Sequence, residues 1–241
     1  MSILLNGECL EELKDIDDNF VDLIFCDLPY GQTACKWDTL IDIDKLWIEF
    51  MRIKKLNTPI IFTCTTKFGV SLINSAPKKC PFRYDLVWCK SVPVGHLSAK
   101  KMPMRKHEMI YIFYEKLPLY DLSSHVYIKR KKKETFNPES VNKDNTYGKG
   151  WQEGHLGNSY EPRIPNSLVE IKSTRGKHCT EKPVALMEWF LKYYSKEGDV
   201  ILDSTMGSGS MGVACVNMNR NFIGIEKDPE IYNVAVNRIE K

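Results

Sequence analysis

The chain has 241 residues, 43% of them hydrophobic, and a formal net charge of +3. That length and apolar content build one large domain, or one domain carrying an insertion, and exclude wholesale disorder. No stretch approaches the roughly 20 consecutive apolar residues of a membrane span. The opening Met1–Glu8 has no basic leader and meets an acid early, so a cytoplasmic protein with no membrane partner is expected.

In chain order, Val21–Cys26 is an apolar run that reads as a buried strand, and Asp44–Lys54 has Leu46, Trp47, Phe50, Met51 and Ile53 at near-helical spacing. Pro59–Thr63 reads as a strand, Phe68–Asn74 as a short helix stopped before Pro77, and Tyr84–Cys89 and Met109–Tyr114 as two further strands. From Leu117 the periodicity fails. A basic run, Lys129–Lys133, leads into a polar stretch rich in Gly, Asn and Pro that reaches residue 165. A loop of that length in a compact domain is functional or disordered. Its interleaved Tyr147, Trp151, His155 and Tyr160 argue against a pure linker. Order returns with a helix over Val184–Tyr194, opened by Pro183, and a buried strand over Asp199–Asp203. A glycine loop, a helix through Gly212–Val216, a strand over Phe222–Glu226 and a final helix from Pro229 to Ile239 complete the chain. Strands alternating with helices predict an α/β fold: a mainly parallel, twisted sheet with helices on both faces.

Eight cysteines show no C-x-x-C pair, and Cys26, Cys64, Cys89 and Cys215 sit in apolar runs. They read as reduced, small hydrophobes in a reducing compartment, with no metal site. The charge is unevenly spread. Residues 116–172 hold ten Lys/Arg against seven Asp/Glu, whereas the rest of the chain is balanced at 24 of each. Residues 86–107 carry Lys90, Lys100, Lys101, Arg105 and Lys106 and no acid. Two basic stretches in a neutral chain point to a polyanion surface or to two solvated loops.

Two motifs carry chemistry. Asp27-Leu28-Pro29-Tyr30 follows the first apolar run and delivers a carboxylate, a carbonyl and an aromatic ring to one point, a set that suits a planar, amine-bearing ring such as a nucleobase. Residues 207–212 match G-x-G-x-x-G between a strand and a helix, and Glu226 ends the next strand, as in a nucleotide-binding βαβ unit. The glycines alone do not choose the cofactor. In a dinucleotide site the helix N-terminus faces a pyrophosphate. Asp203, at the mouth of the loop, suits instead the cationic ammonium and sulfonium of S-adenosylmethionine (AdoMet).

With both motifs in view, the chain resembles the amino-directed DNA methyltransferases, which methylate adenine N6 or cytosine N4. The circularly permuted order of parts is similar to the β class, with the catalytic tetrapeptide first and the AdoMet loop last. Asp27–Gly31 resembles the family's D-P-P-Y, Asn6–Leu10 its opening G-D-C-L segment, and His178–Pro183 its H-P-T-Q-K-P. Met206–Gly209 fits its F-M-G-S-G loop, and Ala99–Pro103 with Lys106–Glu108 resembles a stretch that leads into a core strand. Leu28 stands where the family has its first proline, Ser204-Thr205 where it has Pro-Phe, and Met211 where it commonly has Thr. The missing aromatic ring predicts looser packing against the cofactor.

The resemblance implies a Rossmann-like AdoMet-dependent methyltransferase fold. Residues 1–115 are its catalytic half, 116–170 an inserted target-recognition region and 171–241 its AdoMet-binding half. It implies Asp27, Leu28, Pro29 and Tyr30 as catalytic residues. Asp27 and the Leu28 or Pro29 carbonyl would accept the amine hydrogens, and Tyr30 would stack on a base turned out of the duplex. The cofactor set would be Asp203, Ser204, Thr205, Gly207, Ser208, Gly209 and Glu226, with Asp27, Glu8, His178, Thr180 and Lys182. DNA contacts would come from Lys100, Lys101, Arg105, Lys129, Arg130, Lys131, Lys132 and Lys133, the lysines touching phosphates. Double-stranded DNA is the expected partner, and a homodimer and a cognate restriction endonuclease are the further partners the family implies. An aspartate at the head of the tetrapeptide favours adenine N6 over cytosine N4. Rival readings are RNA methylation, a non-catalytic DNA- or AdoMet-binding relative and, outside the class, a nicotinamide oxidoreductase; the last leaves Asp27–Tyr30 and the basic segment unexplained.

Overall fold

Four residues in a row with no solvent contact, Leu23–Cys26, form the central strand β2. A run buried on both sides needs cover on both faces, which is the condition of a parallel sheet. The computed structural model describes residues 1–31, 39–129, 158–174 and 181–241. Its strands are β1 (Ser2–Asn6), β2, β3 (Ile60–Cys64), β4 (Phe82–Val94), β5 (Arg105–Phe113), β6 (Val126–Lys129), β7 (Asn158–Glu161), β8 (Leu168–Val169), β9 (Val200–Asp203) and β10 (Asn221–Glu226). Its α-helices are α1 (Cys9–Glu12), α2 (Ile43–Ile53), α3 (Thr66–Ser75), α4 (Val184–Tyr194), α5 (Ser210–Asn217) and α6 (Pro229–Ile239).

Two compact units emerge, Met1–Asp121 with Ser167–Lys241 and, separately, Leu122–Asn166. The larger unit holds an eight-stranded sheet in the order β1-β10-β9-β2-β3-β5-β4-β8. The pairs from β1 through β3 are parallel, β5 runs antiparallel to β3 and to β4, and β8 adds a short parallel edge. Residues along a strand point alternately to the two faces. Ile24 and Cys26 join a core with Leu46, Trp47 and Phe50 of α2 and Phe68 and Leu72 of α3. Phe25 faces the other way, with its ring 5.6 Å from that of Phe190 on α4.

The caps explain where the helices start. Asp42 accepts from Lys45 N at 3.2 Å ahead of α2, and Thr65 accepts from Phe68 N at 3.2 Å ahead of α3. Asp228 accepts from Glu230 N and Ile231 N, with Pro229 opening α6.

Several boundaries depart from the sequence expectation. Val21 lies outside β2 and makes only an isolated bridge to Lys54. β4 and β5 extend well beyond the apolar cores of Tyr84–Cys89 and Met109–Tyr114, because a long antiparallel hairpin satisfies its own backbone beyond the buried part. The edge strand β1 carries no marked periodicity in sequence and forms by pairing with β10, register Ser2↔Phe222 to Asn6↔Glu226. Residues 116–121 and 167–170, expected in the inserted region, belong to the larger unit; Asp121 N donates to Tyr193 O at 2.8 Å, and β8 pairs with β4. In the smaller unit, β6 and β7 form an antiparallel ribbon in which the Tyr127 and Tyr160 rings meet edge to face at 5.3 Å. Among the described residues no helix is long and apolar enough to cross a membrane.

Candidate functional site

The chain reverses its direction of travel across the sheet between β9 and β2. From β9 it proceeds through α5 to β10 and outward to one edge, and from β2 through α2 to β3 and toward the other. Ligands of open α/β sheets bind outside the carboxyl ends of the strands at such a switch point. Phe25 of β2 is in register with Asp203 of β9, so Asp27 and the glycine loop emerge side by side although 176 positions separate the two aspartates. Thr205 ties them together. Its Oγ1 donates to the Asp27 carbonyl at 3.3 Å and its N–H to Asp203 Oδ1 at 3.1 Å.

Ser204 lies beneath this junction, fully buried, with its Oγ 3.1 Å from Cys26 Sγ. The pair that departs from the family's Pro-Phe therefore cross-links the two motif-bearing strands. An aromatic ring at position 205 would have no hydroxyl to make the Asp27 bond.

A cavity of about 580 Å³ opens here, within the usual range for small-molecule sites. Its lining includes Glu8, Asp27, Pro29, Lys182, Asp203, Ser204, Thr205, Ser208 and Glu226, with Met206, Ile225 and Ile231 as apolar walls. Asp203 is 4% exposed, and its carboxyl is pushed up to about 8 by burial, with the nearby Asp27 and Glu226 carboxylates adding to the rise. Among the described residues it receives only the Thr205 amide, so its remaining lone pairs face the cavity unmatched. Such a group calls for a cation. Glu226 accepts the Gly207 N–H at 3.0 Å and the Asp228 N–H at 2.8 Å, one on each oxygen. Burial raises its pKa above the usual carboxylate range. Each of its oxygens keeps a lone pair for a further donor. Glu8 caps α1 by accepting from Leu10 N at 2.8 Å. The β1–β10 pairing carries it to this cavity, with Gly7 N donating to Glu226 O at 3.2 Å.

Two glycines of the loop have identifiable reasons. Gly209 adopts φ +81°, left-handed backbone that favours glycine, and a Cβ there would meet Ala235 at 3.0 Å. At Gly212 a Cβ would fall 2.4 Å from Ile239 Cδ1 and 2.8 Å from Phe222, so glycine lets α5 close on α6 and β10.

The catalytic candidates form a partly buried polar network. Asp27 Oδ1 accepts from Thr63 Oγ1 at 2.5 Å and from the Tyr30 hydroxyl at 2.9 Å, and Oδ2 accepts from Lys182 Nζ. Lys182 also meets Glu108 at 3.1 Å, and Glu108 meets Lys90 at 2.6 Å. Charges thus alternate from Asp27 through Lys182 and Glu108 to Lys90. Burial opposes the ammonium of Lys182, but Asp27 and Glu108 outweigh it and hold its pKa above the ordinary lysine range. Burial likewise opposes ionised Glu108, and Lys182 and Lys90 prevail, so it stays below the ordinary carboxylate range. The Tyr30 hydroxyl, buried beside Asp27 and Glu108, is raised far above a normal phenol.

The ring of Tyr30 leans on Phe68 at 5.3 Å, and the Leu28 side chain is buried in the core, leaving only its backbone for chemistry. Lys100, Lys101 and Arg105 are exposed at the far end of the β4–β5 hairpin and do not line the cavity. Lys129 closes β6. His178, Thr180, Arg130, Lys131, Lys132 and Lys133 lie outside the described residues.

Sequence reading gave Glu108 and Thr63 no part in the site and counted Lys90 only in a basic stretch that pointed to a polyanion surface, whereas the structure pairs Lys90 with Glu108. Glu108 did leave a trace: it shares a strand face with Ile110 and Ile112, both fully buried, and an acid heading such a row needs a partner. Among the described residues no cluster of His, Cys, Asp and Glu is arranged to hold a metal.

Comparison with known proteins accords with this geometry. M.HinfI, a type II methyltransferase of Haemophilus influenzae, is 27% identical over all of this chain and 69% of its own length. M2.MboI of Moraxella bovis is 24% identical over 98% of this chain and 86% of its own. Among solved structures, the M1.HpyAVI–SAM complex superimposes with a TM-score of 0.68 at 21% identity, covering both chains fully. The cytosine-N4-specific PvuII DNA methyltransferase superimposes with a TM-score of 0.68 at 14% identity, over 98% of this chain and 86% of its own. The family model of the N6/N4 DNA methylases matches residues 21–237, nearly the whole length, and the chain belongs to that DNA methylase family.

Proposed function

We propose that the chain transfers a methyl group from AdoMet to the exocyclic N6 amine of adenine in double-stranded DNA. The observation that carries this reading is the meeting of Asp27 and Asp203 on one cavity at the switch point. The residues there fit AdoMet. Buried, under-partnered Asp203 takes the ammonium, Glu226 takes ribose hydroxyls with its open lone pairs, and Met206, Ile225 and Ile231 offer apolar surface to the adenine ring. The bound cofactor would supply an electrophilic methyl group on its sulfonium.

The exocyclic amine is a poor nucleophile because its lone pair is delocalised into the ring. Asp27 accepts one of its hydrogens and the Leu28 or Pro29 carbonyl the other, which turns the lone pair out of the ring and toward the cofactor. Positioning and electrostatics then supply the acceleration, without a covalent enzyme intermediate, and the surplus proton of the methylated nitrogen is released to water. Thr63, Tyr30 and Lys182 hold the Asp27 carboxylate in orientation. The unit Leu122–Asn166 is assigned to target reading, and Lys129–Lys133, Lys100, Lys101 and Arg105 to phosphate contacts.

Adenine is favoured by the aspartate heading the tetrapeptide, since cytosine-N4 members of the resembled class more often carry serine. Incubation with methyl-tritiated AdoMet and genomic DNA, followed by nucleoside analysis, tests the proposal. Label in N6-methyladenine supports it. Label in N4-methylcytosine replaces adenine with cytosine, and cofactor binding without transfer to DNA rejects an active enzyme.

A further inference from the structure

Among the described residues, Lys182 is the cation that pairs with the acceptor carboxylate. An ammonium has three donors. Among the described residues two are used, on Asp27 Oδ2 and on Glu108 Oε1, while the side chain, 12% exposed, lines the cavity. Asp27 is similarly committed. Thr63 and Tyr30 occupy Oδ1 and Lys182 occupies one position on Oδ2, so the position left open is on Oδ2, beside the ammonium. The site therefore presents an acceptor and a donor side by side.

That pair is the complement of one chemical edge. Adenine and cytosine each carry an amine next to an unprotonated ring nitrogen. Guanine and thymine carry a carbonyl next to a ring N–H, which would set oxygen against carboxylate and hydrogen against ammonium. We propose that Lys182 is a base-reading residue: its third N–H donates to the ring nitrogen beside the exocyclic amine, so that Asp27 and Lys182 together select amino bases over keto bases. Glu108 and Lys90 complete the arrangement. Glu108 offsets the ammonium charge, which would otherwise draw electrons from the amine through the ring, and Lys90 keeps Glu108 ionised. Among the described residues, the charged and titratable groups around Lys182 are Asp27 and Glu108, with Tyr30 bonded to both of these, and Asp203, which senses the Lys182 charge. This inference rests on the reading of the site as an amino methyltransferase.

The test pairs a changed base with a changed residue. Duplex DNA carries 1-deazaadenine, which keeps the amine and lacks the ring nitrogen, at the methylated position. Wild-type kcat/KM on this substrate falls about ten- to hundredfold, as for a lost hydrogen bond to a charged group. The charge-balanced double variant Lys182→Met/Glu108→Gln is slow on both substrates and distinguishes them by less than about twofold. AdoMet affinity, measured by calorimetry, reports on folding and on the cofactor side. Equal wild-type rates on the two bases overturn the proposal, and that arm needs no variant. It is also overturned if the double variant keeps the full penalty, or loses AdoMet affinity in step with activity, which would return Lys182 to the cofactor. If nucleoside analysis gives N4-methylcytosine, the adenine assignment fails on its own, and 3-deazacytosine serves as the probe of Lys182.

Discussion

Asp203 should make cofactor binding depend on pH in a way that an exposed aspartate would not. Its carboxyl sits at about 8 because burial disfavours the charge, against 3.8 for a free side chain. Binding a cationic ammonium requires the ionised form. At pH 7, one unit below that value, only about a tenth of the protein is ionised at this position, so affinity is about tenfold below its limit and each AdoMet bound releases close to one proton. At pH 6 the deficit is about a hundredfold. An α-amino group keeps its proton below about pH 7.5, so affinity climbs from pH 6 to that point and the amine's own titration reverses the trend above pH 8.

Stability follows the opposite sign. The folded protein binds the Asp203 proton more tightly than the unfolded chain, so this group's contribution is present at low pH and is lost as pH rises from about 4 toward 8. By pH 7 the loss is on the order of 4 kcal/mol. Asp203→Asn removes both effects, giving a ligand-free protein more stable at pH 8 than wild type and cofactor affinity weakened by about 2–5 kcal/mol. Calorimetric titration in two buffers of different ionisation enthalpy measures the released proton. Constant affinity from pH 6 to 7.5 with no proton release would falsify the assignment of Asp203 to the ammonium.

Other outcomes follow from the same geometry. Asp27→Ala should cut methyl transfer at least about a hundredfold while AdoMet binding persists, checked by single-turnover labelling. Thr205→Val removes the bond to the Asp27 carbonyl while keeping the shape, and should lower kcat more than AdoMet affinity. Gly212→Ala drives a methyl into Ile239 and Phe222 and should destabilise the fold by about 1–3 kcal/mol in urea titration. Replacing Leu122–Asn166 with the corresponding unit of a relative should change the methylated sequence and leave AdoMet affinity intact; loss of cofactor binding would count against assigning target reading to that unit.

Much of the fold could be read locally. The unbroken apolar run of β2 calls for two-sided cover, and α4 and α6 announce themselves by period and by proline at their starts. The antiparallel β5 and β4 escaped this reading, because a buried strand looks the same in either direction and only its partner fixes the sense. β1 escaped too, since five residues at an edge gain their order from β10 and not from their own pattern.

The two motifs were legible as residue types, because an aspartate after a buried run and glycines before a helix are constrained by local chemistry. Their meeting was not. Local pattern says nothing of register across 176 positions, and only the pairing of Phe25 with Asp203 turns two loops into one site. The same limit hid the contacts of Glu108 and Thr63 with the site and the pairing of Lys182 with Asp27. A charge in a loop acquires its partners from whichever carboxylates the tertiary structure sets against it, and for Lys182 these are Asp27 and Glu108. The sequence by itself carried the two motifs, an aspartate after a buried strand and a glycine loop before a helix. The tertiary structure decided that they share one cavity, and that Asp27 arrives there paired with Lys182.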